Sequence, residues 1–379
     1  MLTLEPPTIG QASAVVVGLA GLYGIVRWKH KVLKSIILSV VRIRTWLIEW
    51  GVLRPNMKDL FGEDAIDPEV KPSARLLALS GLFSSAAKAK SKSLYATAEA
   101  SRATATQNLL IYPFSPLTSR EKVEQFKLNG LPCAWITHPD VYDPSAGTIL
   151  YCHGGGYHNG FLDAYREVCG ELSRRTGCRV LYVEYTLCPK ATIAEARDEL
   201  VMAYHYLMQE TPAPKIAIVG DSAGAGYAVG ILQNLRAKRF PMPGCAVMIC
   251  PWVDLTMKSK SMNNNNKDSM FPHVEFFKTL AEDSVRISGK PAEHPDNSFI
   301  NGPFRGFPPI YVCASKTERL LDDALAVINR AKSSGVEVTS EIAPYAMHVY
   351  PILFSFSVPE FEASLDRICS YIRENLGSA

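Results

Sequence analysis

The sequence predicts a mostly parallel, doubly wound α/β sheet, and three observations predict it. From about residue 110 onward, short apolar runs alternate with segments of helical period. Two of those runs end in glycine-rich turns, His153–Tyr157 and Gly220–Gly224. The chemistry-bearing residues fall just after the runs, at the carboxyl ends of strands, where open α/β sheets hold their sites.

The elements follow in order. TILYC (148–152) is a strand running into glycines, and CRVLYVEY (178–185) is a second strand. TIAEARDELVMAYHYLMQ (192–209) has helical periodicity. KIAIVGDSAG (215–224) is a strand entering a tight turn, and AGYAVGILQNLRAKR continues it as a helix. CAVMICPW (245–252) and PPIYVCAS (308–315) read as buried strands. LLDDALAVINRAKSSG (320–335) is a helix with Gly335 as its C-cap, and VEVTSEIAP (336–344) is a further strand.

Composition bounds the rest. At 379 residues the chain is one large domain or two small ones, and 47% apolar content supports a sizeable core. A net charge of +3, with no basic run interleaved with aromatics, argues against nucleic acid as a partner. The nine cysteines are odd in number, form no Cys-x-x-Cys pair and lie mostly in apolar runs. They read as buried, reduced thiols, and no spacing supports a zinc site.

Three regions are expected: residues 1–50, residues 51–109, and a catalytic domain over 110–379 with a cap insertion at about 255–300. In the first region Ala12–Val26 carries no charge and is followed by Arg27, Lys29, His30, Lys31 and Lys34. Fifteen uncharged residues fall short of the ~20 of a spanning helix. The front of the run lacks the basic stretch of a secretory leader. Residues 12–50 therefore read as a short membrane anchor, as interfacial helices with basic residues at the headgroups, or as cap helices over a site. The expected location is intracellular, at the endoplasmic-reticulum membrane or in the cytoplasm. Residues 51–70 read as a connector, and 84–107 as a loose helix or mobile linker.

Gly220-Asp221-Ser222-Ala223-Gly224 matches G-x-S-x-G between a buried strand and a helix. There the motif has a mechanical meaning: the turn projects the Ser222 hydroxyl clear of the sheet, above the positive end of the helix. His153-Gly154-Gly155-Gly156 follows a strand 69 residues before Ser222. Consecutive glycines let backbone N–H groups converge on an oxyanion, and Gly154, Gly155 and Ala223 are the expected donors. His153 reads as a residue that orders this loop. A serine nucleophile needs a base, and His348, in APYAMHVYPIL, is the late histidine after a strand. The acid that orients it is expected after PPIYVCAS. Glu318 is the first choice and Asp322 the alternative, with Asp323 a solvated helix residue.

Together HGGGY, EYTLCP, GDSAG, PWVDL, ERLLDD and MHVY resemble the hormone-sensitive-lipase-like branch of the α/β hydrolases, over about residues 110–375. That branch includes bacterial esterases, plant carboxylesterases and fungal steryl acetyl hydrolases. The resemblance implies an eight-stranded sheet, a helical cap and ester hydrolysis without a cofactor. It also implies that Asp221 is structural and that Asp254 steadies a loop. The sequence departs from the branch at Glu318, where many members carry aspartate, at Ala314-Ser315, and at Ala225 after the GDSAG block. The N-terminal extension is longer than a cap requires and looks like that of anchored fungal members. The run Asn263–Asn266 reads as a loop tip in the insertion.

The expected activity is hydrolysis of a hydrophobic acetyl or short-acyl ester, or a lactone, through an acyl-enzyme. The rival keeps the fold and changes the chemistry, to transacylation, lactonisation or proton-transfer condensation in natural-product assembly. A non-catalytic receptor built on the fold is disfavoured by His348.

Overall fold

The structure is a computed structural model that describes residues 39–61, 69–88, 97, 120–140, 142–265, 268, 270, 271 and 273–377. Its centre is one eight-stranded sheet of order β1-β2-β4-β3-β5-β6-β7-β8. The strands are β1 (Lys122–Leu128), β2 (Leu131–Thr137), β3 (Thr148–Cys152), β4 (Arg179–Val183), β5 (Ile216–Asp221), β6 (Cys245–Ile249), β7 (Ile310–Ser315) and β8 (Val338–Ala343). The pairs β1–β2 and β2–β4 are antiparallel and the others parallel.

β3, β5, β6 and β7 are buried at every position. Such strands need apolar side chains on both faces, which is why their sequences read as unbroken runs rather than alternations. β1 and β2 were not expected from the apolar pattern. They form a hairpin through Asn129 and Gly130, whose φ values of 49° and 89° suit a two-residue turn with left-handed centres.

Helices cover both faces. On one lie α5 (Ile193–Leu207), α6 (Ala223–Ala237) and α9 (Leu321–Ser333), packed on Leu150, Ile218, Met248 and Val312. On the other lie α4 (Leu162–Thr176) and the C-terminal α10 (Pro359–Leu376), packed on Ile149, Tyr151, Val219 and Val247. Adjacent strand residues thus point into opposite cores, each fully buried aliphatic side chain contributing about 1.5–3 kcal/mol. α5 begins in a capping box, Thr192 accepting from Glu195 N–H while the Glu195 carboxylate accepts from Thr192 N–H. In α9 the C-cap is Ser334, and Gly335 follows it at φ 76°.

N-terminal helices join the second core. A helix over 39–49 (α1), α2 (Met57–Phe61) and α3 (Ala74–Lys88) bury Val41, Phe61, Leu76 and Leu79 there. α3 reaches into the segment 84–107, read as a loose helix or mobile linker, and makes its first residues helical. The uncharged run Ala12–Val26 and its basic flank lie outside the described residues. Among the described residues, no helix is long and apolar enough to cross a membrane.

Between β6 and β7 the chain leaves the sheet and forms the short α7 (Lys260–Asn264) and the longer α8 (Glu275–Ser288). The described asparagines, Asn263, Asn264 and Asn265, are not a free tip. Asn263 and Asn264 lie in α7, and Asn265 Nδ2 donates to Glu318 O at 2.7 Å.

Candidate active site

β5 ends at Asp221 and α6 begins at Ala223, so Ser222 makes the whole turn, at φ 54° and ψ −120°. For a residue with a Cβ this is strained by roughly 1–3 kcal/mol. The loop after β6 holds it in place. Ser222 N–H donates to Ile249 O at 2.8 Å, and Trp252 N–H donates to Ser222 O at 3.0 Å. Glycine is required on either side: a Cβ on Gly220 would sit 2.3 Å from Gly224 O, and one on Gly224 2.0 Å from Cys152 O.

The structure brings Ser222, His348 and Glu318 together. Ser222 Oγ lies 3.0 Å from His348 Nε2, and His348 Nδ1 lies 2.6 Å from Glu318 Oε2. An ionised carboxylate only accepts, so Nδ1 carries the proton and Nε2 offers its lone pair to the serine hydroxyl. All three residues are buried. Burial pushes His348 down, but the hydrogen bond and charge of Glu318 outweigh it and hold the imidazole above the ordinary histidine value of 6.5.

Glu318 is gripped by its own loop, Oε1 accepting from Ser315 N–H at 2.7 Å. Ser315 Oγ and Thr317 Oγ1 both donate to Ala346 O, at 3.0 and 2.7 Å, which ties the acid loop to the histidine loop. The alternative acid, Asp322, is elsewhere: its Oδ2 accepts from Ser261 N–H at 2.8 Å and braces α7. Asp323 corrects the expectation of a solvated residue. It is buried, and its Oδ2 accepts from Val253 N–H and Asp254 N–H at 2.9 and 3.0 Å. Burial pushes its carboxyl up to about 8. Asp254 binds Thr256 N–H at 2.8 Å, within the same loop.

The glycine loop also departs from expectation at one residue. Gly154 N–H donates to Asp221 Oδ1 at 2.9 Å and is not free for an oxyanion. The cause is Asp221, a buried carboxylate that also accepts from Tyr151 OH at 2.9 Å and Tyr165 OH at 3.3 Å. Burial raises Asp221 to about 6, against the pull of those donors. Among the described residues the N–H groups of Gly155 and Gly156 have no acceptor. Gly156 thus has a free N–H that the sequence reading did not count among its candidate donors, and the third glycine of the motif was the available signal. His153 is buried, with Nδ1 2.7 Å from Gly154 O and its ring stacked 4.1 Å from Tyr185. Burial lowers it to about 4, so it stays neutral and orders the loop.

The β6–β7 segment closes over this arrangement. His158, at the end of the glycine loop, has Nε2 2.9 Å from Ser284 Oγ of α8. Phe271 packs edge-on to His348 at 5.4 Å and stacks on Phe276 at 4.8 Å. Phe271 is positioned by Arg319, which follows the acid in sequence. The Arg319 guanidinium donates to Phe271 O at 2.6 Å and to Met262 O, and the Arg319 backbone N–H donates to Asp268 Oδ2 at 3.1 Å. Nothing in the sequence distinguishes Arg319 from a surface arginine, because its partners lie 48 and more residues away.

A sheet of this order, with a strained serine on the turn after β5 and a histidine and carboxylate from the loops after β8 and β7, defines the architecture of an α/β hydrolase. Comparison with known proteins agrees. Residues 149–352 match the family described as alpha/beta hydrolase fold, and the chain belongs to that family. Within it the chain stands in the hormone-sensitive-lipase-like branch, among enzymes of ester hydrolysis. An acetyl-hydrolase of Streptomyces hygroscopicus is 32% identical over 235 residues, 61% of this chain and 76% of that protein. The esterase LipU of Mycobacterium tuberculosis is 30% identical over 62% of this chain and 81% of its own. Among solved structures, an esterase from the bacterial hormone-sensitive lipase family superposes with a TM-score of 0.70 at 28% identity, covering 81% of this chain and all of that one.

Proposed function

We propose that the chain is a serine carboxylic-ester hydrolase acting on an acetyl or short-acyl ester of a hydrophobic alcohol, or on a lactone. The observation that carries this is the unbroken relay from Ser222 Oγ through His348 to Glu318, at 3.0 and 2.6 Å. His348 Nε2 takes the hydroxyl proton as Ser222 attacks the acyl carbon. The carbonyl oxygen becomes an oxyanion and is met by N–H groups of Gly155, Gly156 and Ala223, each worth about 3–4 kcal/mol in such a transition state. The protonated His348, held by Glu318, then gives its proton to the leaving alcohol. Water repeats the sequence on the acyl-enzyme and frees the acid.

A small acyl group is favoured by what crowds the glycine loop. A Cβ on Gly156 would already meet Leu280 Cδ1 at 2.8 Å. Phe271, Phe276 and Phe277 line the neighbouring segment with rings, which suits an apolar substrate. The β6–β7 segment over 255–300 is the cap in this reading.

Ser222→Ala tests the assignment against p-nitrophenyl acetate. A fall in kcat of at least about 10³-fold is expected. Wild-type turnover in the variant sinks it. Running wild type with water and an alcohol acceptor in competition separates hydrolysis, which releases free acid, from transacylation.

A lipid partner is proposed for the N-terminal helices. Ile43, Trp46 and Trp50 fall at i, i+3 and i+7 on α1 and its last turn, and are more than half exposed, as is Val52. Arg42 and Arg54 flank them, also exposed. An apolar stripe with tryptophan and a basic rim suits the headgroup region of a bilayer.

A further inference from the structure

We infer that Cys250 is a positioning residue that locks together the three loops bearing Ser222, Glu318 and His348. This rests on the reading of those three residues as the catalytic set. Cys250 follows β6 at φ 51°, a strained conformation for a residue with a side chain. Such strain persists only where the surroundings over-determine it, and here they do so from three directions.

The first is the nucleophile. Ile249 and Trp252, which flank Cys250 and Pro251, each make a backbone hydrogen bond to Ser222. The second is the acid. Cys250 N–H donates to Cys313 O at 2.8 Å, on the strand that ends in the Glu318 loop. The third is the base. Cys250 Sγ accepts from Val349 N–H at 3.2 Å, and Val349 is the residue after His348. Val349 is itself at φ 53° and fully buried. Among the described residues the thiol is the acceptor of its N–H, and a buried N–H left unpaired is costly.

The thiol also faces the relay. Cys250 Sγ, a Glu318 carboxylate oxygen and a His348 ring nitrogen lie within 4.8 Å of one another. Burial, followed by the negative charge of Glu318, pushes the thiol well above its ordinary value, so the sulfur keeps its proton beside the carboxylate. The thiol therefore receives from the histidine loop and stands against the acid. A methyl in its place leaves the Val349 N–H without that acceptor. The other charged groups acting on His348 are Asp268 and Asp221, which Cys250 does not contact in this network.

The experiment uses the full chain and three variants, Cys250→Ala, Cys250→Ser and Ser222→Ala, each counted by active-site titration with a phosphonylating probe so that misfolded molecules drop out. In Cys250→Ala, kcat per titrated site is expected to fall about 10- to 100-fold with KM within about twofold, because a small misplacement of the base costs turnover rather than binding. The acid limb of kcat/KM is expected to fall by roughly 0.3 unit or more, since a histidine loop freed from the thiol holds the imidazolium less firmly against Glu318. Cys250→Ser supplies a hydroxyl that can accept from Val349 N–H, and restores most of both. If Cys250→Ala only lowers the titratable fraction, with kcat per site and the acid limb unchanged, the residue is merely structural and the inference fails while the triad stands. If Cys250→Ser is no better than Cys250→Ala, the acceptor role of this side chain fails likewise. If Ser222→Ala turns over normally, the triad fails and the inference falls with it.

Discussion

Two regions of the molecule handle their side chains in opposite ways. At the carboxyl ends of β5, β7 and β8, polar and ionisable groups are buried, and the key ones hold a specific partner. Ser222, Glu318 and His348 form a chain, Asp221 holds the glycine loop, and Asp323 holds the PWVDL loop. On α1 the reverse obtains: Ile43, Trp46 and Trp50 are apolar and face outward. Burying a charge is tolerable only with a partner, so the first region spends its sequence on partners and does chemistry with the electrostatics that result. Exposing an indole gains nothing within the fold, which is the ground for proposing a partner outside it. The two are nonetheless connected. Phe61 of α2 packs on Tyr345, three residues before His348, at 5.0 Å.

The sharpest break of the comparison is at Glu318. Glu318→Gln keeps the shape and removes the charge, so His348 loses both its orienting acceptor and the partner of its cationic form. A fall in kcat of about 10³- to 10⁴-fold is expected on a soluble aryl ester. A fall of less than tenfold would mean that a second carboxylate serves the histidine. Asp322, committed to Ser261, is not placed to do so.

The two buried histidines of the first region sharpen it further. His348 faces a carboxylate and is raised above 6.5, whereas His153 is stacked among tyrosines and is lowered by burial to about 4. In the proposed mechanism His348 serves as a base only when neutral. Activity is therefore expected to be lost as pH falls through its raised value, with an acid limb of kcat/KM above 6.5. Its effect on stability has the opposite sense, because the folded state binds that proton more tightly than the unfolded chain. His348 thus stabilises below the unfolded value, and that contribution disappears as pH rises through the folded one. His153 destabilises in acid: between 6.5 and about 4 the unfolded chain takes up a proton that the folded state refuses. The loss amounts to about 3 kcal/mol across that window. Urea unfolding of wild type and His153→Asn at both ends of the window isolates it. A wild-type loss that persists undiminished in the variant assigns it to other groups.

Legibility followed the same division. The parallel strands were readable because burial on both faces makes their sequences continuous apolar runs, as in Ile216–Val219 and Cys245–Ile249. The β1–β2 hairpin was not, since β1 is exposed or half-buried throughout and only Asn129-Gly130 marks it. The residues of the relay were readable because their chain order and strand ends are set by the fold. Ownership of a single N–H was not. Gly154 and Gly155 look alike in sequence, and what separates them is Asp221, 67 residues later, reaching back across β3. Asp322 and Asp323 differ only in helical phase: one turns toward Ser261 and the other toward the core. The insertion was legible as a region but not in its contacts, because α7 is short and its role lies in Arg319 and Asn265 crossing to other loops.

The smallest catalytic effect is expected in the second region, and that is what makes it diagnostic. Trp46→Ser with Trp50→Ser removes exposed rings that lie 5.6 Å apart and touch no residue of the relay. Stability should change by no more than about 0.5 kcal/mol per site, and kcat/KM on a water-soluble ester should not change at all. Partitioning onto vesicles of phosphatidylcholine with one-third phosphatidylserine should weaken roughly tenfold, measured by co-sedimentation of the full chain. Arg42→Gln with Arg54→Gln should instead remove the preference for the anionic lipid, since an exposed cation acts through a screened surface potential. Unchanged partitioning in the tryptophan variant would move any membrane contact away from α1. Reduced self-association with unchanged partitioning would make the stripe a contact between copies of the chain. In the second case the contrast with the relay would rest on protein rather than lipid; in the first the stripe would have no partner and the contrast would lapse.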